Sequence, residues 1–359
     1  MRRKNFRKVI QWFAVILAAS AGASSSVSAQ SLPTENNRRA SAFNFAASEK
    51  LVTFPVPVGR GTVGLVIIDR QSGQQRLIYE DKAFLLYPHF SSDGKRLIFV
   101  RNDAYANENA ARTRKLVVCA VDNWHCQVWL DTTATIHSPA EFDENTILFS
   151  SSPVDKRPDG KLRYNKHDFY LLSRSSRPEK LTNFGLHELG SISVAGPRFV
   201  FMALEAPTNA PILSQARGVI GPGSDIYALD FDHARREIRT PSQPLQPLVL
   251  VEGFSTMPAA ALDGRIAFLN RRTKAGRTRF SLAISAPDGK LEKYIEASGW
   301  AFSRPVFVGN TVLANETFDK HYEVKLFDLA NTEAKVVAKL EYNERTIRAL
   351  ERISLTFDQ

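Results

Sequence analysis

The chain has 359 residues, a formal net charge of +10 and 43% hydrophobic residues, enough for a real core in one large domain or two ordinary ones. Two cysteines are too few for a disulfide scaffold, and no Cys/His spacing suits structural zinc. Five of the positive charges sit at Arg2, Arg3, Lys4, Arg7 and Lys8, so a chain without them carries only about +5, which does not point to nucleic acid.

Those five charges open a targeting segment. The apolar stretch WFAVILAASAGA follows them, roughly 12 residues where about 20 are needed to span a membrane. VSA then supplies an A-x-A-like cleavage site ending at Ala29. Residues 1–29 read as a secretory signal peptide, with an uncleaved anchor as the competing reading, and the Arg2–Arg3 pair departs by one place from the twin-arginine pattern. Residues 30–41 read as a linker and 42–359 as the folded domain, which does not span a membrane once the signal is removed.

From Phe43 onward short apolar runs bounded by turn residues fill the chain, the mark of an all-β protein. The runs KLVTF, RLIFV, TILFS, RFVFM, RIAFL and TVLAN, beginning at Lys50, Arg96, Thr146, Arg198, Arg265 and Thr311, recur at spacings typical of propeller blades. Pro88, Pro139, Pro258 and Pro305 stand about ten residues ahead of four of them. Each run is followed by a third strand, such as LVIIDR or IYALDFD, and a fourth, such as RLIYE or LVLVE. The pattern predicts a six-bladed β-propeller of four-stranded antiparallel blades. FNFAA from Phe43 or RISLTF from Arg352 would complete the ring. The turn at Asp93–Gly94 is expected to take the positive φ angles of a two-residue hairpin. Cys119 and Cys126 flank AVDNWH at a hairpin end, either as a disulfide or as two free thiols.

The stretch YPHFSSDGKRLIFV, Tyr87 to Val100, resembles the P-x-[FW]-S-x-DGK-x-[IL]-x-F signature of WD40-like PD40 repeats, as in the TolB family of periplasmic propellers. SDIYALDFD is similar to that family's third strand, and Asp263–Gly264 keeps its turn. The resemblance implies a TolB-like six-bladed propeller without the α/β domain that precedes the propeller in TolB, and a role as a platform for protein contacts in the cell envelope.

In such a fold the A–B and C–D turns share one end of the blades, and the B–C loops and D–A crossovers share the other. The long segments 102–115, 153–167, 204–224 and 270–279 are expected as B–C loops, which makes that end the functional one. Arg112, Arg114, Lys115, Lys156, Arg157, Arg163, Arg271, Arg272, Arg277 and Arg279 lie in them, and three of the loops together carry about +9. This basic rim is expected to attract an envelope protein or an anionic envelope component, with the chain acting as a monomer. His137, His187 and Glu188 are placed at the tunnel mouth, where they line the tunnel or supply acid–base chemistry. His167 and His321 close B–C loops on the same end, and His89 reads as structural. No nucleophile elbow or HExxH motif is present, and no catalytic residue, cofactor or metal is assigned. Two alternatives stand beside the binding scaffold. One is a hydrolase or lyase acting on an anionic glycan at the tunnel mouth. The other is a small-molecule sensor or carrier using the tunnel.

Overall fold

The computed structural model describes residues 44–357 except 60–61, 81, 104–112, 157–161, 165, 175, 204–224, 233–234, 236, 240–244, 246, 250, 252–253, 275–276, 300, 331–332 and 342. The described chain is nearly all β. Its first antiparallel run joins β1 (Ala46–Ala47), β2 (Leu51–Gly59), β3 (Thr62–Asp69) and β4 (Gln75–Ile78). β1 is short and pairs only with Val52 and Thr53. Pro55 and Pro57 follow in β2, and their missing N–H groups suit the strand edge that β1 leaves open.

The second run joins β5 (Ala83–Phe90), β6 (Arg96–Asp103), β7 (Arg114–Ala120) and β8 (His125–Thr132). The third joins β9 (His137–Asp143) and β10 (Thr146–Ser151) to β13 (Asp168–Ser173) and β14 (Glu179–Lys180). A small hairpin of β11 (Asp155–Lys156) and β12 (Leu162–Arg163) is inserted before β13. The fourth joins β15 (Leu189–Ala195), β16 (Arg198–Ala203), β17 (Asp225–Asp232) and β18 (Glu237–Ile238). The fifth joins β19 (Phe254–Ala260), β20 (Ile266–Lys274), β21 (Arg277–Ser285) and β22 (Leu291–Ile295). In the last, β23 (Ala301–Phe302) and β24 (Val306–Val308) both pair with β25 (Thr311–Thr317), followed by β26 (His321–Asp328) and β27 (Ala334–Glu341).

Apolar side chains fill the space between successive runs. Phe169 illustrates the density: its ring centre lies 5.1 Å from that of Phe199 and 4.9 Å from that of Phe201. The last run packs back on the first, with Leu313, Tyr322 and Val324 in one cluster with Val52, Phe54 and Val66.

Both chain ends are accounted for. Ala46–Ala47 supplies the inner strand of the first run. After a single helical turn, α1 (Glu344–Arg348), the tail returns to the outer edges instead of to an inner strand. There β28 (Glu351–Ile353) pairs parallel with β4, and β29 (Thr356–Phe357) pairs parallel with β8.

Two expectations are corrected. The Asp93–Gly94 turn is a four-residue loop, because Ser91 N–H bonds Arg96 O and Gly94 N–H bonds Ser91 O. Only Gly94 takes positive φ, at 69°, while Asp93 accepts from Ser91 Oγ and from the Lys95 N–H. Segment 270–279 is a ladder and not a loop: β20 and β21 pair from Ile266↔Ser285 out to Lys274↔Arg277.

The inner strands share a device that the proline pattern only hints at. Tyr87, Ser138, Ser191 and Met257 all have φ between 48° and 53°, each at a register shift in β5, β9, β15 and β19. Positive φ costs a non-glycine residue roughly 1–2 kcal/mol. Pro88, Pro139 and Pro258 follow three of these positions, and proline suits a bulge on an edge strand. In the last run Arg304 and Pro305 fall in the break between β23 and β24.

Candidate functional site at the loop end

Turns 91–95 and 261–264 close hairpins at one end of the sheets, and the connections 104–112, 152–167 and 204–224 leave from the other, which is called the loop end below. β9 begins at the loop end with His137, which is 7% exposed. The bulge at Tyr87 directs its hydroxyl to the neighbouring strand, with Tyr87 Oη 2.8 Å from His137 Nδ1. His167, 4% exposed, enters β13 at the same end and packs edge-on against His137 with ring centres 5.3 Å apart. A backbone bridge from His167 to Leu186 fixes its position.

Arg114 closes the cluster. Its Nη1 donates to Thr133 O at 2.7 Å and Ala134 O at 3.2 Å, and its guanidinium lies 4.7 Å from the Tyr164 ring centre. The two histidines are therefore held neutral. Burial, then the charges of His167 and Arg114, hold His137 well below the usual imidazole range. Burial pulls His167 down to about 4, against a hydrogen bond to the Tyr164 backbone. Glu188 shows the opposite shift, pushed up to about 8 by burial. His137 Nε2, His167 Nδ1 and Glu188 Oε1 are shielded from solvent and have no hydrogen-bond partner among the described residues.

The sequence-derived candidates separate into groups. His187 is exposed and acts electrostatically on His167, so the buried pair is His137 with His167 in place of His137 with His187. Arg114 is a brace at 5% exposure and not a free rim cation, because two carbonyls and a ring occupy its guanidinium. Lys115 is half-buried, 3.6 Å from Asp131, and lines a groove of about 710 Å³ with Glu80, Trp129 and Arg174. Lys156 is exposed in β11, and Arg271 is half-buried with its guanidinium pulled down by burial. Arg112 and Arg157 lie outside the described residues, as do the side chains of Arg163, Arg272, Arg277 and Arg279. His321 stacks on Phe318, ring centres 4.5 Å apart, and its Nε2 is 3.1 Å from Glu323 Oε1. Cys119 and Cys126 sit opposite one another on β7 and β8, joined as a disulfide with Cα atoms 4.0 Å apart.

Sequence reasoning passed over Arg304 as a site residue, although the residue-before-proline pattern marks it as it marks Tyr87, since Pro305 and Pro88 follow them.

The loop end presents neutral imidazoles and a protonated carboxyl, groups that bind polar ligands by hydrogen bonding, and of these the Glu188 carboxyl could exchange a proton near neutral pH. Among the described residues, no group of three or more His, Cys, Asp or Glu side chains is placed to hold a metal ion.

No protein-family model matches the sequence, and no curated protein matches it. Solved structures do match the fold. TolB from Acinetobacter baumannii aligns over 82% of this chain and 67% of its own at 13% identity, with a TM-score of 0.53. The β-propeller domain of the Trilobed protease from Pyrococcus furiosus, described as having an open velcro topology, aligns over 84% and 97% at 15% identity, TM-score 0.50. Acylaminoacyl peptidase from Pyrococcus horikoshii aligns over 87% of this chain and 55% of its own at 12% identity, TM-score 0.54. The likeness is one of fold, and by fold this chain is a TolB-like β-propeller.

Proposed function

We propose that the chain is an exported, non-enzymatic six-bladed propeller of four-stranded blades that binds an envelope protein or anionic envelope component on its basic loop end. In this reading residues 1–29 are a signal, 30–41 a linker and 42–359 the propeller. The observation that carries the binding reading is the register of β20 and β21. It sets Arg272 opposite Arg279 and Lys274 opposite Arg277. Like charges directly opposite one another destabilise a ladder, and an anionic partner would relieve that cost. The Cys119–Cys126 disulfide supports an oxidising compartment.

The test is crosslinking of the full chain in intact cells, comparing wild type with a variant carrying Arg271→Gln, Arg272→Gln, Arg277→Gln and Arg279→Gln. Loss of a specific, salt-sensitive crosslinked partner is expected, and an unchanged partner at unchanged salt sensitivity overturns the binding reading. Export is checked by the mass of the mature protein, which should begin at Gln30.

A second reading has one observation in its favour. A buried carboxyl whose proton is held to about 8, at the loop end that also carries neutral histidines, suits acid–base chemistry on an anionic glycan. Turnover of such a glycan by wild type, abolished in Glu188→Gln and His137→Gln, would establish it, and absence of turnover across a panel of uronate-containing glycans would remove it.

A further inference from the structure

Arg304 stands where the other inner strands carry their positive-φ bulge, in the break between β23 and β24. From there its Nη2 donates to the carbonyl of Ile192 in β15, the inner strand of the fourth run. Its charge also acts on His89 in β5, the inner strand of the second run. The guanidinium thus ties β15 to the break between β23 and β24, and its charge reaches a third inner strand.

That guanidinium lacks a counter-charge. Arg96, Arg101 and Arg265 pair with Glu141, Glu80 and Asp263 respectively. Arg304 forms no ion pair with a carboxylate among the described residues, and its hydrogen bonding within the protein is the single bond to Ile192 O. Its Nε is shielded from solvent and unpartnered. Burial pulls Arg304 down to about 10 and His89 down to about 3, the latter with help from the Arg304 charge. Removing a guanidinium from water costs several kcal/mol unless an anion or a full set of acceptors replaces the water. Here most of the five N–H donors have no protein acceptor. His89 likewise makes no hydrogen bond within the described protein. Both residues nevertheless retain partial exposure.

We propose that the Arg304 guanidinium binds a small oxyanion, a carboxylate- or phosphate-type group, through N–H groups that have no acceptor among the described residues, within electrostatic reach of His89. A planar fork matches two oxygens of such a group, a match that lysine cannot reproduce. The proposal does not depend on a partner docking at the basic loop end.

The test uses the full chain and two probes, sodium acetate and inorganic phosphate, each against sodium chloride at matched ionic strength. Thermal unfolding and calorimetric titration are followed for wild type, Arg304→Gln, Arg304→Lys and the exposed control Lys335→Gln, which removes one positive charge elsewhere. Wild type and the control should gain stability with at least one probe, and the favoured probe identifies the oxyanion class. Arg304→Gln should lose the effect, and Arg304→Lys should bind at least ten-fold more weakly. If neither probe stabilises wild type beyond chloride, or if Arg304→Lys binds as wild type does, the proposal is overturned. A readout on wild type alone guards against a variant that does not fold. The ring resonances of His89, assigned with His89→Gln, should move on addition of the favoured probe, and unmoved resonances at saturating probe also overturn the proposal.

Discussion

The two ends of the sheets treat their polar groups in opposite ways. At the turn end three carboxylates are answered locally. Asp93 is held below the usual carboxylate range first by the Ser91 hydroxyl, Asp263 by the Arg265 side chain, and Asp288 by the Lys290 N–H. At the loop end His137, His167 and Glu188 carry shielded atoms with no partner. Native proteins pair most buried polar groups; Arg70 Nε and Thr146 Oγ1 near the turn end are exceptions too, so what sets the loop end apart is that its exceptions are acid–base groups. The turn end shows what the same architecture does when stability is the only demand.

Breaking the turn end should cost the most. Cys119→Ala with Cys126→Ala opens a covalent closure of a short hairpin, and denaturant unfolding should show a loss of about 2–3 kcal/mol on the chain-entropy estimate. If the loss is negligible, the turn end is less tightly held than the contrast requires.

The loop end should respond in the opposite sense. Glu188 keeps its proton to about pH 8 when folded, whereas the unfolded carboxyl loses it near 4.5, so this group lowers stability progressively as pH rises between those values. His167 does the reverse: folded it loses its proton at about 4, unfolded near 6.5, so stability falls as pH drops from 6.5 to 4. His89 and His137 act in the same direction as His167. Stability should therefore peak near pH 6.5. Glu188→Gln should flatten the curve between pH 6.5 and 8, where in wild type this carboxyl accounts for a decline of about 2 kcal/mol in chemical denaturation. A wild-type curve flat above pH 6.5 would contradict the burial of this carboxyl.

Smaller effects sharpen the contrast. Gly94→Ala forces a side chain into φ 69° and sets its Cβ 3.3 Å from Ser48 Cβ, and should lower stability by roughly 1–2 kcal/mol in thermal unfolding. Tyr87→Phe removes the bond to His137 Nδ1. It should cost about 1 kcal/mol and shift the His137 ring resonances, while leaving those of His321 in place.

The frame of the fold was legible because it rests on local signals. Apolar alternation, the Asp-Gly turns and the recurring proline located the inner and second strands from Tyr87 to the last run. The site was less legible because its contacts are long-range. Nothing near Arg114 in sequence announces that two carbonyls at 133 and 134 and the ring of Tyr164 will occupy it. Nothing local joins Arg304 to Ile192, 112 residues away. The basic stretch 270–279 misled for a physical reason: its charges read as a solvated loop, while its β-capable backbone simply extended the ladder.

The C-terminal tail has a consequence for timing. Glu351 and Gln74, 277 residues apart, meet where β28 joins β4, and β29 then reaches β8. The outer edges of β4 and β8 are therefore covered only when residues 351–357 arrive. Long-range pairing of this kind is slow to form, so these edges are covered late in folding. Removing residues 351–357 should leave β4 and β8 as open strand edges.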